Sequence, residues 1–439
     1  MTEAFKNKLL KFICGKLELD DISNIPNFQE IKSINNNLNS YLKVNFSEGY
    51  YIKGSLEVED FIAVYGYYML SNNTKGFIIL FDRDFNILKN LKQFSSGTDF
   101  SEFMILEKDE KNQIFGIDNK NGVKRFIMLN NFFLKSDGDY KVILRQSYNL
   151  QSYTQQANNF TLLRKNPIAS EYLIFSTVPD ENYVNNLLVT LLKIKVGSEN
   201  EWNEFLTNEY PYFLTTDAIV NWQEDNLNFI CCGFKSSNGM NYYTEIKFSN
   251  NSFTNFYVSS EIANMKSADG KIISENESFY AISQTSNSKE TFSIFHKKNN
   301  IVSLIYTDVA DFISLPSKIS LKKVDYKIFY IIYKTISQDV NDSTLEIKIG
   351  SILENNEIIE EQVCEAQISE LVGLNVFIIN KENNKYNFYV QVANQCNTTY
   401  YVKSELNVLD ELNCLKPSYV NIYNNTNELL FSKNLYNLS

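Results

Sequence analysis

Residues 278–297 read "SFYAISQTSNSKETFSIFHK", and this stretch carries the pattern that decides the fold. Two runs rich in aromatic and β-branched residues, 278–285 and 290–297, flank a short polar stretch of Ser, Asn and Lys. Runs of this length and composition are typical of β-strands, and a short polar stretch between them is typical of a hairpin loop. The stretch therefore predicts one antiparallel strand pair.

The same strand pair recurs along the chain. The predicted pairs share two Tyr-, Phe-, Ile- or Val-rich strands, and they occupy residues 61–82, 113–129, 171–196, 227–249, 278–297, 327–350 and 386–406. The first strands begin at 61, 113, 171, 227, 278, 327 and 386, so successive starts lie 49 to 59 residues apart. Further strand-like runs precede or follow many pairs, as at 253–258 and 300–307. Each unit therefore has about four strands.

Four-stranded units that repeat at this spacing, without helices between them, are typical of a β-propeller. The sequence predicts a mainly β protein, a seven-bladed β-propeller with about four antiparallel strands per blade, over residues 46–416. Tandem β-sandwiches, which also need evenly spaced strands, are the alternative. No WD40 or kelch pattern is present, and "SADGKI" at 267–272 is only a distant echo of the sialidase box.

The two ends of the chain differ from the repeats. Phe5, Leu9, Phe12 and Ile13 share one helical face, and 27–42 has the spacing of a second helix, so residues 1–45 are predicted to be a helical docking segment. Residues 417–439 are predicted to be a ring-closing strand or the start of a further domain.

Composition excludes several classes of protein. The net charge is −11 over 439 residues, and the nearest basic run, "LKKVDYK" at 321–327, is interpreted as a solvated strand edge, so nucleic-acid binding is not expected. The six cysteines show no C-x-x-C spacing, which indicates reduced thiols. The N-terminus does not have the pattern of a signal peptide, and no apolar run is long enough for a membrane span. We expect a soluble protein without membrane insertion.

Cys231 and Cys232 are the most tempting chemical feature, because adjacent thiols could form a redox pair or a metal site. They lie in a predicted strand, 227–234, ahead of an Asn238-Gly239 turn. Strand alternation sends neighbouring side chains to opposite faces, so the two thiols cannot act together on one substrate or metal. We interpret them as small apolar residues that pack between blades.

Other catalytic candidates are equally weak. His296 is the only histidine, which excludes two-His metal sites, and a solvated or capping role at a strand end is expected. The carboxylate pairs Asp82 with Asp84 and Asp109 with Glu110 fall in turns, where acidic residues are expected for structural reasons. The stretch 118–122, "DNKNG", is a partial calcium-loop match. No catalytic residue, metal site or cofactor is therefore predicted, and the binding residues are left open.

Tyrosine pairs are the remaining positive feature. "EGYYIKG", "YGYYML", "NEYPYFL", "NYYTEI" and "NTTYYVK" place them near strand ends, where one ring of each pair points to each sheet face. Exposed Tyr beside Asn suits contact with glycans or proteins. The alternative, that Tyr fills the blade cores, is favoured.

Several stretches together resemble virion proteins of tailed phages, or prophages, that infect low-GC Gram-positive bacteria. They are "AFKNKLLKFICGKLE", "KGFIILFDRDFNIL", "FSSGTDF", "KDEKNQIFGID", "KRFIMLNNF" and "NELLFSKNLYN". The resemblance implies a structural protein of the tail or tail tip, made in the bacterial cytoplasm without a signal peptide. It also implies other virion proteins and further copies of this chain as partners, with host-surface glycan as a further contact.

Three functions follow as hypotheses. The first is a non-enzymatic virion protein, and the second is a propeller glycosidase or related hydrolase that acts on cell-surface carbohydrate. The hydrolase requires two carboxylates roughly 5 to 10 Å apart in a pocket at the propeller axis. The third is a cellular protein-interaction propeller, which a gene position between tail and lysis genes would exclude.

Overall fold

The fold is known from a computed structural model. It describes residues 27–31, 40–45, 50–58, 61–70, 73–81, 87–91, 102–109, 111–129, 133–134, 140–141, 144–150, 152–157, 159–179, 187–197, 201–207, 213–222, 227–237, 240–310, 317–324, 327–338, 343–352, 356, 358–367, 371–381, 385–394, 398–407, 419–423 and 429–434.

Six four-stranded antiparallel sheets form the blades of a β-propeller. Blade 1 has β3(Tyr50–Val58), β4(Phe61–Leu70), β5(Asn73–Phe81) and β6(Ile87–Leu91), blade 2 has β7(Phe103–Lys108), β8(Ile114–Lys120), β9(Val123–Leu129) and β12(Leu144–Asn149), and blade 3 has β13(Asn159–Lys165), β14(Glu171–Pro179), β15(Leu187–Lys195) and β16(Glu201–Thr207). Blade 4 has β17(Leu214–Trp222), β18(Leu227–Ser237), β19(Met240–Ser249) and β20(Ser252–Val258), blade 5 has β21(Met265–Ser274), β22(Glu277–Ser286), β23(Lys289–Lys298) and β24(Ile301–Ala310), and blade 6 has β25(Lys318–Val324), β26(Lys327–Gln338), β27(Ser343–Ile352) and β28(Ile358–Gln367).

The expected number of seven four-stranded blades is therefore wrong: the structure has six. The seventh predicted strand pair lies in a five-stranded sheet that draws on both ends of the chain. Its strands, in spatial order, are β29(Leu371–Lys381), β30(Lys385–Asn394), β31(Thr398–Asn407), β2(Ser40–Asn45) and β1(Asn27–Ile31). Since β29 contacts both β25 of blade 6 and β3 of blade 1, this sheet closes the ring.

The N-terminal prediction is also corrected. Residues 27–42 do not form the expected second helix, because 27–31 and 40–45 are strands that extend the five-stranded sheet. The first expected helix, with Phe5 and Leu9, lies outside the described residues, and the domain bounds 1–45, 46–416 and 417–439 stay predictions.

The short remaining elements of the described chain are α1(Ser152–Gln156) and the hairpins β10(Phe133–Leu134) with β11(Tyr140–Lys141) and β32(Tyr419–Tyr423) with β33(Leu429–Asn434). In this part of the chain no helix has the length and apolarity of a membrane span.

All seven predicted strand pairs are confirmed as antiparallel hairpins, and in each blade they supply the two central strands. Asn residues have a structural role in several of the tight loops between strands. Two-residue loops with positive φ at both positions join neighbouring strands at Asn121–Gly122, Asn250–Asn251, Asn287–Ser288 and Asn299–Asn300. Such loops match the twist of paired strands, and Asn and Gly adopt this conformation at low cost.

The core consists of apolar layers between successive blades rather than one central core. The layer between blades 4 and 5, for example, contains Cys232, Tyr243, Ile272 and Tyr280, and the rings of Tyr243 and Tyr280 stack with centroids 4.3 Å apart. Tyr65 and Tyr243, which belong to the tyrosine-rich stretches, are buried, and so is Tyr172 of β14. The interpretation that Tyr fills the blade cores is confirmed for these residues.

The first strand of each blade lies innermost, and neighbouring first strands contact each other all the way round the ring. A β-bulge interrupts the pairing of this strand with the second strand in blades 1 to 5 and in the five-stranded sheet. Bulges bend a strand and redirect a side chain, and they are common at barrel rims. The inner strands of blades 2 to 6 place ionisable side chains near the propeller axis.

Candidate functional site: the charged axis of the propeller

Five inner strands bring ionisable side chains together around the axis. We call this set the axial cluster, and its members are Glu107 on β7, Arg164 on β13, Asp217 on β17, Asp269 and Lys271 on β21, and Lys322 on β25. Charges from blades 3, 4 and 6 act on the carboxyl group of Glu107 in blade 2. The strands that carry these residues are far apart in sequence, so only ring closure places them around one axis.

Asp217 connects three blades. Its Oδ1 accepts a hydrogen bond from Arg164 Nη2 of blade 3 at 2.7 Å, and its Oδ2 accepts one from the backbone N–H of Ile272 of blade 5 at 3.0 Å. The Asp217 residue is buried, and both of its carboxylate oxygens are engaged. A charge-assisted hydrogen bond of this kind contributes about 1.5–3 kcal/mol when it is protected from water.

Asp269 makes the corresponding connection between blades 5 and 6. Its Oδ2 accepts hydrogen bonds from the backbone N–H of Leu321 and from Ser320 Oγ, both at 2.9 Å. Its Oδ1 accepts hydrogen bonds from Lys271 Nζ and from the N–H of Gly270, both at 2.8 Å. Burial alone would raise the pKa of Asp269, but Lys271 and the hydrogen bonds outweigh burial and lower it.

The ammonium group of Lys271 donates hydrogen bonds to three groups of the protein. Besides Asp269, its ammonium group donates to the carbonyl oxygens of Gly270 at 3.0 Å and of Thr216 at 3.5 Å. Burial opposes its charge, yet the nearby carboxylates of Asp269 and Asp217 outweigh burial and raise the pKa of Lys271. Lys271 therefore stays charged at neutral pH as a structural counter-ion.

Glu107 and Lys322 differ from these pairs, because neither forms a hydrogen bond or an ion pair with any residue the structure describes. Each feels the charge of the other across the axis. Burial raises the pKa of Glu107 even though Arg164 and Lys322 oppose the shift. Burial and the positive charge of Lys271 lower the pKa of Lys322 to about 8. These two groups are the chemically available part of the axial cluster.

Comparison with known proteins adds little beyond this geometry. No protein-family model matches the chain, and no curated protein matches it. Among solved structures, Drosophila Semaphorin 2a is similar with 8% identity over 83% of this chain and 74% of that one, at a TM-score of 0.43. A polysaccharide lyase of family PL25, an ulvan lyase, is similar with 8% identity over 79% and 93% of the two chains, at a TM-score of 0.36.

The Bombyx mori GH32 β-fructofuranosidase BmSUC1 is similar with 12% identity over 57% of this chain, at a TM-score of 0.29. The chain spans 63% of the length of that enzyme.

The cysteine prediction is confirmed. Cys231 packs with Phe229 and Phe248 in the layer between blades 3 and 4, whereas Cys232 packs with Tyr243 in the layer between blades 4 and 5. Both thiols are free and buried, and burial raises the pKa of Cys232 to about 12. They lie on opposite faces of one strand and face different neighbours.

Two other sequence interpretations need correction. His296 is not solvated: it is buried in β23, its ring stacks on Phe279 with centroids 4.3 Å apart, and its Nε2 lies 2.8 Å from Glu277 Oε1. The basic run 321–327 is not a solvated edge either, because β25 is the inner strand of blade 6, Leu321 is buried and Lys322 belongs to the axial cluster.

The acidic candidates in turns have structural roles where they are described. Asp109 accepts hydrogen bonds from the N–H groups of Lys111 and Gln113 and pairs with Lys165 of the next blade. Asp118, in the partial calcium loop, pairs with Arg125 of the neighbouring strand. Asp82, Asp84, Glu110 and the Asn238-Gly239 turn lie outside the described residues.

Sequence reasoning missed the axial cluster as a whole. The stretch "SADGKI" contains Asp269 and Lys271, and "LKKVDYK" contains Lys322. Both stretches were noted in the sequence, but neither was predicted to lie at the axis. The feature that could have found the rest is the position of an ionisable residue within the strand that precedes each predicted pair. Such residues are Asp217 in "DAIVNWQ" and Asp269 in "SADGKI".

Proposed function

We propose that this protein is a non-enzymatic structural protein of a phage virion, in the tail or tail tip. It assembles there with other particle proteins and with copies of itself, and it contacts the host cell surface. The sequence resemblance supports the setting, and the β-propeller supports a scaffold that displays loops and edges to partners. The single observation that carries the non-enzymatic part is the engagement of the axial carboxylates Asp217 and Asp269 in bonds between blades.

A carboxylate must have an accessible oxygen to act as a nucleophile, general base or general acid. Both oxygens of Asp217 and both oxygens of Asp269 already accept hydrogen bonds from the protein. Releasing them would expose unpaired backbone N–H groups of the neighbouring blades, which is costly. We infer that these residues hold the ring together.

Glycoside hydrolysis is the second candidate, and Glu107 is the observation that favours it. A partly buried carboxyl group with a raised pKa is suited to act as a general acid. The reaction needs a second, free carboxylate at a matching distance, and the other two members of the axial cluster with carboxylates are engaged.

Partner assembly has a specific candidate surface, the outer strand β24 of blade 5. Ile301 and Leu304 expose 71% and 58% of their surface there, and Val309 is exposed as well. Asp308 is the only charged residue of β24, and it pairs with Lys334 and Lys348. Two copies of the chain can therefore pair β24 with β24 in antiparallel fashion without an uncompensated charge on either strand.

An activity assay with a matched pair of variants tests the non-enzymatic part. The purified protein is incubated with cell-wall polysaccharide of a Gram-positive bacterium, and released reducing ends are counted for the wild type, Glu107→Gln and the exposed control Glu275→Gln. We expect no release from any of the three proteins. Release that Glu107→Gln abolishes and Glu275→Gln leaves intact would replace this proposal with the hydrolase. Mass spectrometry of purified virions from a host that carries the gene tests the setting, and absence from the particle would exclude it.

A further inference from the structure

The inner strand of blade 6 presents two lysines to the axis that have no anionic partner among the described residues. Lys318, Ser320 and Lys322 are alternate residues of β25, so their side chains share one face of the strand. Ser320 on that face donates to Asp269 of the axial cluster, whereas the alternate residues Ile319 and Leu321 pack in the layer between blades 5 and 6. Lys318 and Lys322 form no hydrogen bond or ion pair with residues in the described part of the chain.

The charges around Lys322 are out of balance. The groups that act on it are the cations Lys271 and Lys318 and the carboxyl groups of Asp269 and Glu107. Asp269 is already saturated by Lys271, Ser320 and backbone N–H groups, so it has no lone pair directed at Lys322. Glu107 stands across the axis and does not reach Lys322 as an ion pair. Within the described residues, the two ammonium groups of this face therefore have no direct counter-ion.

Arg164 adds further donors to the same region. Its guanidinium group uses Nη2 for Asp217 and Nη1 for the carbonyl oxygen of Leu163, and a third of the side chain is exposed. A guanidinium group has five N–H donors, so several are left for a ligand. Arg164 and Lys322 both act on the carboxyl group of Glu107, so they approach the same axial space from blades 3 and 6.

We propose that the axial space between Lys322, Lys318 and Arg164 is a binding site for an anionic group of a ligand, a carboxylate, phosphate or sulfate. Lys322 and Lys318 donate to the anion, and the spare N–H groups of Arg164 reach it from the opposite side. A neutral ligand would leave the two ammonium groups unpaired. The inference goes beyond the virion role and rests on the axial charges alone, so it stands or falls independently of that proposal.

The site has a built-in pH dependence that distinguishes it from a surface lysine. Lys322 has a pKa of about 8 in the ligand-free protein because burial, Lys271 and Lys318 oppose its charge, while Asp269 and Glu107 favour it. An anion binds the protonated form, so affinity falls as the pH rises above 8. Each further pH unit costs up to about tenfold in affinity, until the loss reaches that of removing Lys322 altogether.

Titration calorimetry with defined probes tests the proposal. The full chain at constant ionic strength is titrated with inorganic phosphate, sulfate, glucuronate and, as a neutral comparison, glucose. We expect heat from the anions and none from glucose. A response to phosphate or sulfate but not to glucuronate assigns the site to tetrahedral anions, and the reverse assigns it to carboxylates. A folded protein that binds none of these anions overturns the proposal.

A matched pair of variants locates the binding. Lys322→Met removes the proposed donor, and Lys323→Met removes an exposed lysine from the next position of the same strand. We expect Lys322→Met to weaken binding at least about tenfold and Lys323→Met to change it less than about twofold. Equal losses in the two variants would overturn the proposal. Lys322→Met removes a repelled charge, so it should fold at least as well as the wild type.

The wild-type protein supplies a second readout that needs no variant. Glucuronate keeps its single charge above pH 5, so its affinity between pH 7 and 9.5 reports the protein side alone. We expect constant affinity up to about pH 7.5 and a decline above pH 8. Affinity that does not change up to pH 9.5 would contradict a role for Lys322.

Discussion

At the scale of single residues, the partners of a side chain decide what it does. Asp217, Asp269 and Glu107 all carry carboxyl groups near one axis, but the first two accept bonds from neighbouring blades and the third does not. Cys231 and Cys232 could be interpreted from the sequence because the period of a strand sends adjacent residues to opposite faces. The axial cluster could not be predicted in this way, because strand alternation alone does not show that residues of five distant strands meet around one axis.

The two cysteines give a prediction at this scale. We expect Cys231 and Cys232 to resist alkylation by iodoacetamide at pH 8 in the native protein and to react fully in urea, because burial raises the pKa of both thiols and the thiolate is the reactive form. Mass spectrometry of the peptide that contains both residues measures the modified fraction. Rapid labelling of the native protein would contradict the packing between blades.

At the scale of secondary-structure elements, hairpins were easier to predict than inner and terminal strands. The seven strand pairs stand out because both strands of each pair are rich in apolar residues, and in β22 and β23 most of these are buried. Inner strands such as β21 are half polar and interrupted by a bulge, which obscures the alternation. The segment 27–42 suggested a helix by its spacing, but β2 pairs with β31, a partner that the local sequence does not contain, and β1 pairs with β2.

The exposed strand β24 carries a prediction at the scale of elements. We expect the wild-type protein to form dimers through this edge and Leu304→Lys to shift the equilibrium to monomers, because the two new lysines would face each other across the interface. Sedimentation velocity measures the distribution. The control is Gln146→Lys, an exposed position on the outer strand of blade 2, which already carries Arg145. A wild-type monomer, or equal behaviour of the two variants, would exclude self-pairing at β24.

At the scale of the whole molecule, polar contacts between blades accompany the apolar layers. The N–H of Leu106 in blade 2 donates to Tyr65 OH of blade 1 at 3.1 Å, and Lys165 of blade 3 pairs with Asp109 of blade 2. Asp217 and Asp269 continue this series through blades 3 to 6, and a buried ion pair of Glu245 with Lys297, at 2.7 Å, joins blades 4 and 5 farther from the axis. Apolar layers supply most of the stability, and these directed contacts favour one arrangement of neighbouring blades.

The repeat period predicted a β-propeller, but it did not predict which strands form each sheet. Spacing near 50 residues indicates four-stranded units, but it does not reveal that one sheet draws strands from both chain ends. The number of four-stranded blades was therefore overestimated by one. The ring closes through the pairing of β2 with β31, between residues more than 350 positions apart.

The central claim is that the axial carboxylates hold the blades together. Urea unfolding tests it by measuring the free energy of unfolding of Asp217→Asn and Asp269→Asn. The wild type and the exposed variant Glu275→Gln are measured as controls. We expect each Asn variant to lose about 2 kcal/mol or more, because an amide cannot satisfy the same donors, and the control to change by less than about 0.5 kcal/mol. Carboxylates kept for chemistry behave in the opposite way, since neutral replacements at active sites commonly leave stability unchanged or raise it. Unchanged or increased stability in both Asn variants would contradict the account.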